Sequence, residues 1–457
     1  MNDPSVEAVT GIVKDAIESK MKTVSFTYNE QGEAQIMKML RNAIPAALGM
    51  ALAGGAGTAV AGGFAIGTQS GSGTGNAFAG GAAAAEDASV AWYNPAAMTA
   101  LEAPRQATAA LHVLKPSFKF RNTGSSGVFA APGTGEGGDA GGWAAVPDLF
   151  FTTALGGGWH AGIAVNVPFG LKTDYDAGWR GQLTALVSEI KTVNVNPSIA
   201  YKIGDMISIG AGLSAQYLDA ELSSFSGVGA LGNATLKADD IGYGFNFGVL
   251  VEPVRGTRIG VSYRSSIKYD LEGTARFSGP AGAAFNGDVA ADLRVPESWS
   301  LSVFHTMGKL ELMADVTRTG WDRVQQLVVR RTTASAGGAA GSTFSTLDFG
   351  WKDTWRYGVG ANYRVNDALK LRFGLAYDET PTNDATRTPR LPDEDRRWVA
   401  LGVQYKVTKA GTLEVGYAHE FIRDASVNVS VPPAPGRLTG RFDNKADILS
   451  LQYSHAF

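Results

Sequence analysis

Cysteine is absent from the 457 residues, which excludes disulfides, thiolate metal sites and cysteine nucleophiles. A surplus of charge is lacking too. The 40 basic residues face 43 acidic ones, a net of -3, so nothing points to a polyanion, because nucleic-acid binders concentrate basic charge on one surface. Beyond residue 61 no apolar run is long enough to cross a membrane as a helix. Histidines are few, and the five (His112, His160, His305, His419, His455) show no metal-ligand spacing. No G-x-S-x-G elbow occurs. Gly227 to Gly232 matches G-x-G-x-x-G, but it lacks the strand before and helix after that a dinucleotide site needs, and it reads as a flexible loop. These absences argue against an enzyme, a metal centre and a cofactor. A lipid-cleaving site assembled from Ser and His on separate strands is the one arrangement they leave open.

What is present is glycine, 58 residues of it, beside 21 Phe, 14 Tyr and 9 Trp. Disordered chains are poor in aromatics. This mixture suits a large β-structure with many tight turns and crowded backbone.

Lys38 and Arg41 precede the apolar stretch Ala43 to Leu52, and a small-residue segment ends at Ala59-Val60-Ala61. That is the layout of a secretory signal peptide cleaved after Ala61. Its apolar core is short for a membrane anchor and is followed by Gly54, Gly55 and Gly57. Residues 5–20 carry Val6, Val9, Val13 and Ile17 at helical spacing, yet a leader ordinarily begins just before its apolar core. Met37 or Met39 is therefore the expected start, with 1–61 as leader plus extension.

Period-two alternation dominates the remainder. Trp355, Tyr357, Val359, Ala361 and Tyr363 oppose Arg356, Gly358, Gly360 and Asn362; Leu371, Phe373, Leu375 and Tyr377 oppose Lys370, Arg372, Gly374 and Ala376. Such alternation means a sheet with one apolar face. A soluble sandwich and a membrane barrel both hide that face. Segment length near the roughly 9–11 residues of a tilted crossing strand favours the barrel. So do polar opposite faces and aromatics at segment ends. The fold class expected is all-β, a transmembrane antiparallel barrel over 105–457. Fifteen alternating segments can be counted, 257–265 and 268–277 among them; single-chain bacterial barrels are usually even-numbered, so the count contains an error. The stretches 122–142, 223–236, 278–290 and 332–345 read as long outer loops.

Residues 62–104 are rich in Gly and Ala, lack alternation, and include Trp92-Tyr93-Asn94-Pro95-Ala96. Too small to build a core, the segment is expected to plug the lumen. The cluster Pro392 to Trp398 has two readings: a solvated rim, or an inward Arg396 paired with an acidic ligand.

The ordered series Gly62-Gly63-Phe64, Asn94-Pro95-Ala96, Val167-Pro168-Phe169-Gly170-Leu171, Asn196-Pro197-Ser198, Pro296-Glu297-Ser298-Trp299, Gly350-Trp351-Lys352-Asp353 and Pro392 to Trp398 resembles the FadL/TodX family of outer-membrane transporters. The resemblance spans nearly everything after residue 61. It implies about fourteen strands and passive uptake of long-chain fatty acids, with neutral aromatic or alkane hydrocarbons as the alternative substrate. It implies that Phe64 and Asn94-Pro95-Ala96 belong to a hatch that reaches the binding pocket. It also implies lateral release at a kinked third strand near Pro168 and Gly170, residue types that weaken a ladder independently. A fatty-acid carboxylate needs a cation or strong donors, and Lys172, Arg180, Lys352 and Arg396 are the candidates, each with a lumenal salt bridge to the hatch as the competing role. Expected partners are membrane lipid, lipopolysaccharide and a hydrophobic small molecule, with the chain a monomer in the outer membrane. An adhesin or phage receptor is the reading from another class, and it would show an unbroken third strand.

Overall fold

The structure, a computed structural model, describes residues 62–457. The expected leader 1–61, with its 5–20 stretch, its alternative starts and its cleavage site at Ala61, lies outside the described residues. Twenty β-segments form one antiparallel sheet. They are β1 (Arg105–Asn122), β2 (Ala144–Gly156), β3 (Trp159–Asn166), β4 (Gly170–Asp174), β5 (Val187–Ile203), β6 (Ile207–Phe225) and β7 (Asn233–Val254). Then come β8 (Thr257–Arg264), β9 (Ile267–Phe277), β10 (Gly287–Val295), β11 (Ser298–Met307), β12 (Leu310–Thr319), β13 (Gln326–Arg331) and β14 (Thr343–Asp348). The chain finishes with β15 (Thr354–Arg364), β16 (Leu369–Asp378), β17 (Arg396–Lys406), β18 (Gly411–Ile422), β19 (Ala425–Val429) and β20 (Leu438–Ala456). Six crossings are built from two segments end to end and eight are unbroken, so the twenty segments make a fourteen-stranded barrel. β20 closes it on β1 in an unbroken register from Gln106↔Ala456 to Asn122↔Gly440. Closure leaves no edge whose backbone groups would lie unpaired in lipid.

The count of fifteen is corrected here: 257–265 and 268–277 are halves of one crossing, β8 and β9. Both pair with β7, through Asn246↔Arg264 and Asp239↔Glu272. Eight residues separate Arg264 from Glu272 where seven separate Asn246 from Asp239. That one-residue excess is a bulge, and it reverses which parity faces outward: Ile259 and Val261 are exposed below it, Lys268 and Asp270 above. A phase reversal looks like a new strand in a sequence. Three expected loops also shrink, because β7 already starts at Asn233, β10 at Gly287 and β14 at Thr343. Ladder pairing above the bilayer overrides the weak strand propensity of Gly, Ala and Asn.

The wall is inverted relative to a soluble sandwich. Leu213, Val359, Leu371, Leu401 and Leu451 are exposed, whereas Gln216, Asn362, Arg372, Glu414 and Gln452 are buried inside. Among the described residues no helix is long and apolar enough to cross a membrane; the crossings are strands. Residues 62–104 lie within the ring and carry α1 (Gly71–Gly75), α2 (Val90–Tyr93) and a 3-10 turn, Pro95–Ala100. Gly416 lets α1 approach β18, since a Cβ there would stand 2.7 Å from Gly71 O.

Candidate functional site

Two networks of opposite character hold the N-terminal segment. On one side Glu86 pairs with Arg372 and, at 3.3 Å, with Lys370. Arg372 continues to Glu414 at 2.6 Å, and Gln452 Nε2 donates to Glu414 (2.7 Å) and Asp87 (2.9 Å). Burial alone would raise the pKa of Glu86, but Arg372 and Lys370 together bring it down to about 2. The segment's carboxylate is thus charged and anchored.

Asn94 anchors a second point. Its Nδ2 donates to Ala82 O (2.7 Å) and to Val249 O on β7 (3.1 Å), while its Oδ1 accepts from Ala96 N at 3.0 Å, capping the turn that begins at Pro95. Pro95 and Ala96 press on Gly210 of β6. Ala96 belongs to a different apolar cluster from Phe64, so these residues of the N-terminal segment do not converge on one pocket.

The tip is apolar. Phe64 is 3% exposed and packs with Phe169, Leu171, Leu218, Ile267, Tyr269 and Leu293. Its ring centroid lies 5.0 Å from that of Trp321, edge-on, and 5.7 Å from those of Phe169 and Trp351. Trp321 and Trp351 stand at the breaks between β12 and β13 and between β14 and β15. A cavity of about 210 Å³ adjoins this chamber, bounded by Ile66, Trp92, Tyr93, Pro168, Phe169 and Arg264.

That cavity reaches the weakest part of the wall. β2 pairs with β3 only as far as Leu149↔Val165, and β4 pairs with β5 alone. Residues 144–148 of β2 therefore bond to β1 but have no ladder partner on the third crossing. The crossing resumes one residue out of step, from Asn166↔Asn194 to Gly170↔Lys191. The tip occupies the break: Gly170 N donates to Phe64 O (2.9 Å), and Ile66 N to Pro168 O (2.8 Å). Gln69 Nε2 adds bonds of 2.9 Å to Ile66 O and Val167 O.

The four candidate cations are dispersed. Lys172 alternates with inward Leu171 and so faces outward, 3.4 Å from Glu189. Arg180 donates to Phe129 O at 3.0 Å, among the outer loops. Lys352 is exposed beside buried Trp351. Arg396 does face inward, but it is 2% exposed and paired with Asp393 and with Glu420 at 2.9 Å. A cation absent from the sequence reading is better placed. Arg390 Nη1 donates to Ser188 Oγ (3.0 Å) and Ser223 O (3.2 Å), and its Nε has no partner. Among the described residues no carboxylate pairs with it, and burial pushes its pKa down to about 10. Next to it, Leu391 belongs to the Phe64 chamber. Nothing in the sequence separates Arg390 from other loop arginines.

A serine–histidine–aspartate set does exist in the lumen: His112 lies 3.0 Å from Asp148 and 2.6 Å from Ser450. All three are fully buried, and Ser450 Oγ is also bonded to Thr74 Oγ1 at 2.8 Å. The set is sealed from solvent, and through Thr74 it ties α1 to the wall.

Residues 52–457 match the family described as outer membrane protein transport protein (OMPP1/FadL/TodX). A long-chain fatty acid transport protein of Escherichia coli O6:H1 is 26% identical over 86% of this chain and 94% of its own length. Outer membrane protein P1 of Haemophilus influenzae is 28% identical over 84% and 90%. A crystal structure of a Pseudomonas aeruginosa FadL homologue superposes with a TM-score of 0.77 at 27% identity, covering 86% of this chain and all (100%) of that one. A toluene transporter of Ralstonia pickettii shares the fold, with a TM-score of 0.63 at 19% identity over 84% and 98%. Fold, wall chemistry and these relatives agree: the chain belongs to the OMPP1/FadL/TodX family of outer-membrane transport proteins, which are channels and not enzymes.

Proposed function

We propose that the protein takes up long-chain fatty acids passively, binding them in the Phe64 chamber and releasing them sideways through the break in the third crossing. The observation that carries this is the coincidence of chamber and break: Phe64 fills the one and its carbonyl accepts from Gly170 at the other. A bound tail and the Phe64 ring compete for the same apolar wall. Burying a phenylalanine side chain contributes about 1.5–3 kcal/mol, whereas eight or more methylenes at ~0.8 kcal/mol each contribute over twice that. A long tail therefore displaces the tip, withdraws its bonds to Pro168 and Gly170, and opens the wall. The carboxylate is held by Arg390, whose charge no carboxylate offsets among the described residues. An adhesin would need neither chamber nor break.

Neutral hydrocarbon as substrate draws support from Lys172 and Arg396, which already have acidic partners. Side-by-side binding of oleate and toluene separates the two. Arg390→Gln is expected to weaken oleate by roughly ten- to a hundredfold and to leave toluene unchanged; toluene binding without oleate binding would move the assignment to hydrocarbons.

The hatch role of 62–104 and cleavage after Ala61 belong to the same reading. Gly62 N donates to Asp378 at 3.1 Å and Gly63 N to Asp393 at 2.8 Å. Asp378, buried against Gly62 N, suits the ammonium of a chain starting at Gly62, and the intact mass of the protein taken from membranes tests this.

A further inference from the structure

We propose that the outer face of the β20–β1 seam is a docking site for the phosphates of lipopolysaccharide in the outer leaflet. Ascending β1, the outward positions are Ala107, Ala109, Leu111 and Val113, and then Lys115, Lys119 and Arg121. Ascending β20, they are Tyr453, Leu451 and Leu449, and then Asp447, Lys445, Asp443 and Arg441. The change from apolar to charged falls at one register on both strands, between Val113↔Leu449 and Lys115↔Asp447. That register marks the top of the hydrocarbon, and cations just above it stand at the depth of lipid phosphates. Aromatics frame the boundary: Tyr417 donates to Asp447 at 2.7 Å, and Lys115 Nζ lies 4.8 Å over the exposed ring of Trp143.

The charge of this face is cationic. Lys115, Lys119, Arg121, Arg441 and Lys445 share it with two strand carboxylates, Asp443 and Asp447, and with loop Asp139, which is 3.9 Å from Lys119 Nζ. Arg121 and Arg441 are direct cross-strand neighbours; Asp443 pairs with Arg121 at 2.9 Å, which leaves Arg441 as the member of that like-charge pair open to a further anion. The opposite wall has the reverse character. Its outward positions hold more acid than base: Glu189, Asp219, Glu221, Asp239, Asp270, Glu272, Asp288 and Asp292 stand beside Arg276, Arg294 and lysines that are already engaged, Lys237 with Glu221 at 2.8 Å, Lys191 with Glu189 at 3.1 Å and Lys268 with Asp270. A phosphate approaching that wall needs a bridging divalent cation, whereas the seam binds it directly with charge-assisted bonds.

The test is native mass spectrometry of the full barrel with bis-phosphorylated lipid A in the presence of EDTA. The unaltered protein is expected to retain the lipid. The quadruple variant Lys119→Gln/Arg121→Gln/Arg441→Gln/Lys445→Gln should lose at least about tenfold in affinity, and lipid A stripped of phosphate should bind both forms alike. Asp219→Asn/Asp239→Asn on the far wall serves as the charge control and should retain the lipid, with heat-shifted gel mobility confirming that every variant is folded. Equal retention by the quadruple variant, dependence on divalent cations, or displacement by an equal concentration of phosphatidylglycerol would each overturn the proposal.

Discussion

The two ends of the N-terminal segment are held by different physics. Around Glu86 the lumen is polar, with Arg372, Lys370, Glu414 and Gln452 closing a charged network on the wall. Around Phe64 it is apolar, and the backbone bonds there go to a broken crossing. A buried ion network depends on fixed geometry and leaves uncompensated charge when one member is removed. Apolar contacts are non-directional, so another apolar body can replace them. The segment is therefore built to stay attached at one end while its other end yields to a ligand.

Removing the centre of the polar anchor should have the largest effect. Arg372→Met leaves Glu86 and Glu414 buried without their shared cation, a loss of about 3–5 kcal/mol. Limited proteolysis should then cut within 62–104 while the barrel survives; a protected segment would show that the apolar end carries the attachment.

Phe64→Ala attacks the other end and should move function in the opposite direction. The tip loses about 3 kcal/mol of packing, and because the ring no longer competes, oleate affinity should rise. Affinity that falls or stays level would mean the ring supports the ligand site instead of occupying it.

Acid offers a graded version of the first experiment. Glu86 has its pKa lowered from 4.5 to about 2, so its contribution is complete above 4.5 and is lost as pH falls from there through about 2. Up to about 3 kcal/mol is at stake, less where lumenal water screens the pair. Trp92 fluorescence should report loosening only in that window, and Glu86→Gln should abolish the transition.

The smallest effect is expected at Asn94, which follows both in the chain. Asn94→Ala removes a cap and two bonds, one of them to β7, and costs about 1–2 kcal/mol. Unchanged hydrogen exchange at Ala96 and Ala97 would show that packing on Gly210 is sufficient.

The barrel was legible because alternation is local. Successive Cβ atoms point to opposite faces of any strand, so Leu371, Phe373 and Leu375 against Lys370, Arg372 and Gly374 declare a two-sided wall without knowledge of its neighbours. The ordered motifs also placed Phe64, Pro168 and Gly170 in the family pattern. Period-two reasoning failed where phase slips, so β8 and β9 were counted as two crossings. Nor does it say which residues meet across the lumen. Gly62 meets Asp378 and Gly63 meets Asp393 across separations of 316 and 330 residues. Arg396, at the start of β17, is neutralised by Glu420 on the adjacent strand, whereas Arg390, in the loop just before it, has no carboxylate among the described residues. Strand identity and facing follow from each residue and the next, so the sequence determines them. Chamber, break and the state of each cation depend on register and curvature summed around the whole ring, and only the closed barrel decides them.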